Sequence, residues 1–155
     1  MSDFVFVAFT AVFFALAAAY LKWEDATMRD ADTAGIQSAQ AAKDSTVALL
    51  SYRPDTVDKD LTAVRDRLTG DFKSAYTSLT NDVVIPGAKQ KQISAVATVP
   101  AAASISAGDT HAVVLVFVNQ TTTIGSDPPT DTASSVKVTL DKVHNRWLIS
   151  QFDPI

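Results

Sequence analysis

The N-terminal positions form the most hydrophobic block of the chain. Residues Phe4–Leu21 carry no charged side chain, and the polar groups in this run belong to Thr10 and Tyr20. At ~1.5 Å per residue such a helix spans about 27 Å, close to the thickness of a bilayer's hydrocarbon core. Tyr20 and Trp23 suit the level of the lipid headgroups. The pattern predicts a transmembrane anchor over residues 1–23.

A cleaved signal peptide is the alternative for this block. The run is longer than the usual apolar core of a signal peptide, and no Lys or Arg precedes it. Against this, Ala15-Leu16-Ala17 offers the small residues of a cleavage site. Because Lys and Arg are absent up to Leu21, the positive-inside rule has little to act on. Charge therefore favours neither orientation.

The following segment, residues 24–52, has the composition of a helix. It holds no Pro and many Ala residues, which favour helix formation. A loose apolar stripe runs through it at Ile36, Ala39, Ala42, Val47 and Leu50. We predict a juxtamembrane helix that leads from the anchor into the domain. Tyr52-Arg53-Pro54 should end this helix, because the residue before Pro disfavours the α conformation.

Two further amphipathic helices follow, each with its apolar residues on one face. In the second helix the apolar residues recur at Val57, Leu61, Val64 and Leu68. In the third helix they recur at Phe72, Tyr76, Leu79 and Val83. Asp55 or Thr56 can cap the second helix. Gly70 suits the left-handed position at its end. Pro86-Gly87 should kink or stop the third helix.

From Ile93 onward the period becomes that of β-strands. A first β-like stretch is interrupted by Pro100, and the apolar run Ala112–Val118 indicates a central strand covered on both faces. A half-exposed strand is predicted where apolar and polar residues alternate, with Val136, Val138 and Leu140 on the apolar side. His144-Asn145 supplies a tight turn, and Trp147 begins the last strand.

Three helices followed by four strands predict an α+β fold. In such folds the helices pack together on one face of an antiparallel sheet. The chain thereby divides into a transmembrane anchor at 1–23, a juxtamembrane helix at 24–52 and a soluble α+β domain at 53–155.

Composition excludes several classes of protein. The chain has 155 residues, a formal net charge of −4 and no cysteine. The lack of cysteine excludes a disulfide framework, a Cys-ligated zinc and an iron–sulfur cluster. Lys and Arg are scattered without a basic tract, so we expect no nucleic-acid partner.

Few residues are candidates for site chemistry. Asp55, Asp58 and Asp60 are closely spaced, yet they lack the Gly and the distal Glu of a calcium loop. We interpret them as acidic residues of a helix N-terminus. His111 and His144 are the two histidines, and both are expected to face solvent. We predict no metal, no cofactor and no catalytic residue, and hence a protein that is not an enzyme.

An ordered set of motifs resembles the actinobacterial Mce-associated membrane proteins. The motifs are Leu50–Asp58 (LSYRPDTVD), Leu68–Phe72 (LTGDF), Val84–Pro86 (VIP), Val114–Thr121 (VLVFVNQT) and Arg146–Leu148 (RWL). Family members often have Gly before the Trp-Leu pair, where this sequence has Asn145-Arg146. The resemblance covers roughly residues 45–155.

The resemblance implies a cone-shaped domain like that of nuclear transport factor 2, on a curved antiparallel sheet of about four strands. It also implies a single-pass protein of the cytoplasmic membrane whose soluble domain is extracytoplasmic. The implied function is that of a non-enzymatic accessory subunit of an Mce-type lipid importer in the cell envelope. Its partners would be the YrbE-type permease, the Mce-domain subunits and membrane lipid.

Two other functions remain open. One is a lipid or small-molecule binding module of the same cone fold, and the other is a scaffold subunit of a secretion apparatus. Phe72, Tyr76, Phe117 and Trp147 could line the pocket of a cone. Their apolar spacing favours the interpretation that they fill the core instead.

The anchor itself offers a candidate contact surface. Small residues follow helical spacing along one face at Ala8, Ala11, Ala15, Ala18 and Ala19. In lipid, helices associate through close packing, which small residues permit. We predict that this face packs against a transmembrane helix of the permease.

Overall fold

The first helix, α1, runs without interruption from Ser2 to Leu50. This computed structural model describes the backbone of residues 2–155 and the side chains of residues 16–155. The helix ends before Tyr52-Arg53-Pro54, as predicted. Within the part whose side chains are described, no helix has an apolar stretch long enough to cross a membrane. Most of the predicted span Phe4–Leu21 lies outside that part.

The buried face of α1 consists mainly of small residues. It is formed by Ala34, Ser38, Ala42, Ser45, Thr46 and Leu49. The predicted stripe was therefore wrong in part, since Ile36 is 73% exposed. Small side chains occupy the contact because α1 lies close against the first strand, where Ser104 would be 3.5 Å from a Cβ added at Gly35. A larger residue on this face would push the helix away from the sheet.

The second helix follows the predicted pattern. Helix α2 spans Val57–Val64, a 3₁₀ turn follows at Arg65–Arg67, and α3 spans Gly70–Leu79. The four predicted core positions, Val57, Leu61, Val64 and Leu68, are all buried. Gly70 has φ +61, the left-handed conformation predicted for it. Thr56 is the N-cap residue, but its hydroxyl donates to Asp60 Oδ2 at 2.6 Å.

The third helix departs from the prediction because its winding changes. A π-helical segment, Thr80–Val84, separates α3 from α4, which spans Ile85–Lys91. The wider π turn moves the inward face onto Thr80, Val84 and Ala88. Val83, within this turn, is consequently more than half exposed. Leu79, which precedes the turn, is also more than half exposed. Pro86 does not stop the helix, because it lies in the first turn of α4, where its missing N–H is tolerated.

Four strands form one antiparallel sheet in the order β1-β2-β3-β4. The strands are β1 Ile93–Ala107, β2 His111–Ile124, β3 Thr130–Val143 and β4 Arg146–Pro154. Pro100 does not interrupt β1, since a register shift between Thr98 and Ala101 accommodates it. His144 and Asn145 have φ 48 and 61, as a two-residue hairpin turn requires.

All helices of the described chain pack on one face of this sheet. The inward face carries Val114, Val116, Val118, Val136, Val138, Leu140 and Ile149, all buried. The α+β prediction is therefore confirmed, including the alternation in β3. The expectation that β2 is covered on both faces was wrong, because Phe117 on its other side is 44% exposed. Helices on one side leave the second face of the sheet open.

Candidate functional site

A groove lies between α1 and the hairpin that joins β3 to β4. Two clefts of about 530 and 560 Å³ make up this groove, and they share Gln37 and Trp147. Residues 30–45 of α1 form one wall, and residues 142–148 of the hairpin form the other. We call it the Trp147 groove. Its length along α1 is roughly 22 Å at ~1.5 Å per helical residue, enough for about seven residues of extended polypeptide.

Trp147 forms the floor of the groove. It is 8% exposed and belongs to the main core cluster, which confirms its prediction as a core residue. The Lys142 Nζ lies 5.4 Å from the centroid of the indole, within the range of a cation–π contact. The indole Nε1 has no hydrogen-bond partner among the described residues. An indole that is buried on one side and lines a groove on the other can support the core and present a contact surface.

The two ends of the Trp147 groove carry opposite charge. Arg67 and Arg146 line one cleft together with Asp44, while Asp30 and Asp109 line the other together with Lys142, so one end is net positive and the other net negative. Arg146 Nη2 donates to the backbone oxygen of Asp66 at 3.2 Å, which fixes its position. Neither guanidinium forms an ion pair with a carboxylate in the described part of the chain. This arrangement suits a polypeptide whose charges are opposite at the two ends.

The candidate ligands from sequence serve other roles. Asp58 pairs with Lys89, and Asp60 accepts from Thr56, so these carboxylates stabilise the start of α2 as expected. His111 Nδ1 lies 2.8 Å from Asp141 Oδ1 on the exposed surface. Among residues 16–155, no three acidic or histidine side chains converge on a possible metal position.

The four aromatic residues considered for a pocket do not share one. Phe72 packs with Tyr76 and stacks on Phe152, with both ring-centroid distances at 6.2 Å. Phe117 lies on the opposite face of the sheet, so its assignment to the core was wrong. Phe72, Tyr76 and Trp147 pack in or against the main core cluster, which agrees with the core interpretation.

Tyr76 has the most perturbed environment of these aromatic residues. Burial raises the pKa of Tyr76 to about 12, opposed by the nearby charge of Arg65. Its hydroxyl donates to the Leu49 backbone oxygen at 3.4 Å. No described carboxylate is buried beside it. The tyrosine is thus held in its neutral form as a packing and hydrogen-bonding residue.

The alanine face of the anchor is only partly within the described side chains. Ala18 and Ala19 are exposed on α1, whereas the side chains of Ala8, Ala11 and Ala15 lie outside the described residues. This contact surface stays a prediction. Sequence reasoning missed the Trp147 groove, although one signal was present. Polar residues recur at helical spacing on α1, at Asp30, Thr33, Gln37, Gln40 and Asp44.

Solved structures share this fold at low sequence identity. An IcmL-like type IV secretion system protein from Legionella pneumophila superposes with a TM-score of 0.65 and 12% identity, over 77% of this chain and 92% of that chain. The periplasmic domain of DotI superposes with a TM-score of 0.63 and 17% identity, over 76% of this chain and 91% of that chain. The VirB8 protein of Agrobacterium tumefaciens superposes with a TM-score of 0.59 and 11% identity, over 75% of this chain and 88% of that chain. At these identities the likeness establishes the fold alone.

Relatives of higher identity come from Mycobacterium tuberculosis. "Outer membrane protein Rv1973" is 65% identical over 138 residues, which cover 89% of this chain and 86% of that protein. "Uncharacterized protein Rv1362c" is 50% identical over 116 residues, covering 74% of this chain and 53% of that protein. These names do not mention Mce transporters, so that association remains a proposal. Residues 2–151 match the family described as "Uncharacterized protein Rv1363c/MT1408-like", and the chain belongs to this family.

Proposed function

We propose that this protein is a non-enzymatic scaffold subunit of a multiprotein assembly in the bacterial cell envelope. In this role α1 connects a membrane-associated end to the folded domain, and the Trp147 groove receives a partner polypeptide. The observation that carries the proposal is the continuity of α1. The helix passes without a break from a segment with no tertiary burial, residues 16–33, into the packed face that begins at Ala34.

The projecting segment, residues 16–33 of α1, requires a partner of its own. Tyr20, Trp23 and Met28 are each well over half exposed. In proteins most helical stability comes from packing of a helix face rather than from propensity, and clustered exposed apolar side chains mark contact sites. Lipid or the helices of other subunits would satisfy both needs. A continuous helix then transmits the position of its bound end to the domain.

The fold neighbours support the scaffold role. One of them is named as a type IV secretion system protein and another as a periplasmic domain, and the likeness extends over about three quarters of this chain. The relative named "Outer membrane protein" supports an envelope location. We place the domain on the extracytoplasmic side of the membrane, because the DotI domain with the same fold is named as periplasmic.

A second candidate assembly is an Mce-type lipid importer. The ordered motifs, from Leu50–Asp58 to Arg146–Leu148, favour it. In that assembly the alanine face of Ala8, Ala11, Ala15, Ala18 and Ala19 packs against a permease helix. A lipid-binding function has less support, because the Trp147 groove is open to solvent and would leave much of an alkyl chain in water.

Purification from the native host in mild detergent tests these proposals. The full chain, tagged after Ile155, is isolated and its partners and bound lipids are identified by mass spectrometry. Secretion components support the first assembly, and YrbE-type permease with Mce-domain subunits supports the second. Recovery of the chain without other envelope proteins would contradict the scaffold role. Stoichiometric lipid in that preparation would favour the binding-module alternative.

Matched charge reversals test the Trp147 groove. Arg67→Glu with Arg146→Glu inverts one end of the groove, and Arg53→Glu changes an exposed arginine that does not line either cleft. We expect the double variant to lose a partner that Arg53→Glu retains. Equal recovery of all partners by both variants would mean that this groove is not the contact.

A further inference from the structure

The Trp147 groove has apolar surface between its two charged ends. Ile36, on the α1 wall, is 73% exposed and lines the same cleft as Ala41 and Leu148. Both of these neighbours are only half-buried, and the indole of Trp147 is common to the two clefts. Because Ile36 is turned away from the core, it is available to an apolar side chain of an occupant. Exposed apolar surface inside a groove commonly marks a contact site.

Two arginines at one end of the groove are available to an acidic group. Arg67 belongs to the 3₁₀ turn after α2 and Arg146 begins β4, and both are exposed in the cleft that contains Ile36. Asp44 of the same cleft accepts a hydrogen bond from Gln40 Nε2 at 2.9 Å. Within residues 16–155 neither arginine forms an ion pair. Guanidinium groups bind carboxylates through paired N–H donors, so this end suits an Asp or Glu side chain.

The opposite end presents carboxylates to a basic group. Asp30 of α1 and Asp109 of the turn between β1 and β2 line this cleft, and both are exposed. Lys142 shares the cleft, but its Nζ lies over the Trp147 indole, 5.4 Å from the centroid. Neither aspartate forms an ion pair with a described side chain. This end therefore suits a Lys or Arg side chain of an occupant.

The separation of the two ends sets the spacing of charges in an occupant. The positive cleft is lined by α1 residues 36–45, and the negative cleft by α1 residues 30–37. Their centres are about 10 Å apart at ~1.5 Å per helical residue. An extended chain covers that distance in about three residues. A basic and an acidic side chain three or four positions apart can thus reach both ends, with an apolar side chain between them over Ile36.

We propose that the Trp147 groove binds an extended segment of another subunit in which a basic, an apolar and an acidic residue follow one another within about five positions. This inference rests on the proposed function, in which the groove receives a partner polypeptide. The acidic residue contacts Arg67 and Arg146, and the basic residue contacts Asp30 and Asp109. The order of the charges fixes the direction of the segment, because the reverse direction would bring like charges together.

A phospholipid headgroup is a weaker fit for the same groove. Asp30 lies about 10 Å further along α1 than Trp23, at ~1.5 Å per residue. The groove therefore lies beyond the level of the headgroups that is predicted for Trp23. The two charges of a zwitterionic headgroup are also closer together than the two ends of the groove. A polypeptide satisfies both the position and the spacing.

Site-specific cross-linking in the native host identifies the segment that occupies the groove. An aliphatic diazirine amino acid at Ile36 of the full chain changes the side chain little and reports contacts in the groove. The matched control carries the same amino acid at Leu79, which is 54% exposed on α3 and lines neither cleft. Ile36 should give an adduct with one envelope protein that Leu79 does not give. The cross-linked peptide should contain the three residue types in the proposed spacing.

Charge exchange tests the two ends separately. Arg146→Glu should lower the yield of the Ile36 adduct about tenfold, because attraction to the partner's carboxylate becomes repulsion. Replacing that acidic residue of the partner by lysine should restore the yield with Arg146→Glu and lower it with the unaltered chain. Asp30→Lys should be restored by changing the partner's basic residue to glutamate. Arg53→Glu lies outside both clefts and should leave the yield unchanged.

The possible failures separate this inference from the scaffold role. A segment without the charge pair, or charge exchanges that restore nothing, would overturn the inference and leave the groove as a contact of another kind. An adduct of lipid, or of a second copy of this chain, would overturn it by assigning a different occupant. Equal adducts at Ile36 and Leu79 would exclude the groove as a contact, whereas the scaffold role itself is decided by the envelope proteins that co-purify with the chain.

Discussion

Replacing Trp147 by alanine measures how much the floor of the Trp147 groove contributes to the stability of the core. A buried tryptophan removes on the order of 200 Å² from water, worth about 5 kcal/mol at ~25 cal/mol per Å². Correcting for residual burial in the unfolded chain lowers this to roughly 3–4.5 kcal/mol. Loss of the Lys142 contact adds ~0.5–1 kcal/mol.

The unpartnered Nε1 acts in the other direction. Burying this donor without an acceptor costs the folded state ~1–3 kcal/mol, and the alanine variant no longer bears that cost. The expected net loss is about 3 kcal/mol, at the lower end of the ~3–5 kcal/mol seen for aromatic-to-alanine changes. Trp147→Phe keeps much of the apolar contact and removes the donor, so it should cost about 1 kcal/mol.

Differential scanning calorimetry of the full chain in mild detergent provides the assay. At ~4 °C per kcal/mol for a domain of this size, Trp147→Ala should lower Tm by roughly 10 °C. Trp23→Ala is the control, because Trp23 is 68% exposed on the projecting segment and should change stability by less than ~0.5 kcal/mol. A loss below ~1 kcal/mol for Trp147→Ala, combined with loss of a partner protein, would refute the core assignment and leave a pure binding residue.

Three further predictions concern other parts of the molecule. A chain that begins at Ala34, the first buried residue among the described side chains of α1, should melt cooperatively with α+β circular dichroism; an aggregated product without a transition would contradict the domain boundary. Stability should fall as pH rises from 10 toward 12, because burial raises the pKa of Tyr76 to about 12 and the folded state then holds a proton that the unfolded state releases. After allowance for partial exposure, Tyr76→Phe should remove about 1 kcal/mol of this alkaline loss, as measured by urea unfolding at pH 8 and pH 11; an unchanged pH profile would assign the loss elsewhere. Ala11→Leu with Ala15→Leu should reduce co-purification of membrane partners while the domain stays folded, and a yield equal to that of the unaltered chain would exclude the alanine face as the contact.

Local sequence determined those elements whose signals lie within a few residues. Helix α2 could be predicted because Val57, Leu61 and Val64 recur at helical spacing and all face one core. The end of α1 follows from the restriction that Pro54 places on Arg53. The turn at His144-Asn145 follows from the tolerance of short polar side chains for positive φ. These features need no knowledge of distant residues.

Other features depended on which elements meet in space. The π-helical turn before α4 moved Val83 outward, since packing of Ala88 against α2 decides the phase of that helix. The continuous apolar run in β2 is compatible with one covered face or two, and only the placement of all helices on one side left Phe117 exposed. The Trp147 groove joins residues far apart in the chain, so no local pattern could define it.

The sequence by itself therefore determined the α+β class, the order of the elements and most of the inward residues of the sheet. Periodicity shows which side chains share a face, and burial of that face is favourable in any arrangement that covers it. The tertiary structure decided which faces remained uncovered. Whether a groove forms beside Trp147, and whether Phe117 meets solvent, depends on the distances between elements, and these are set by packing across the whole core.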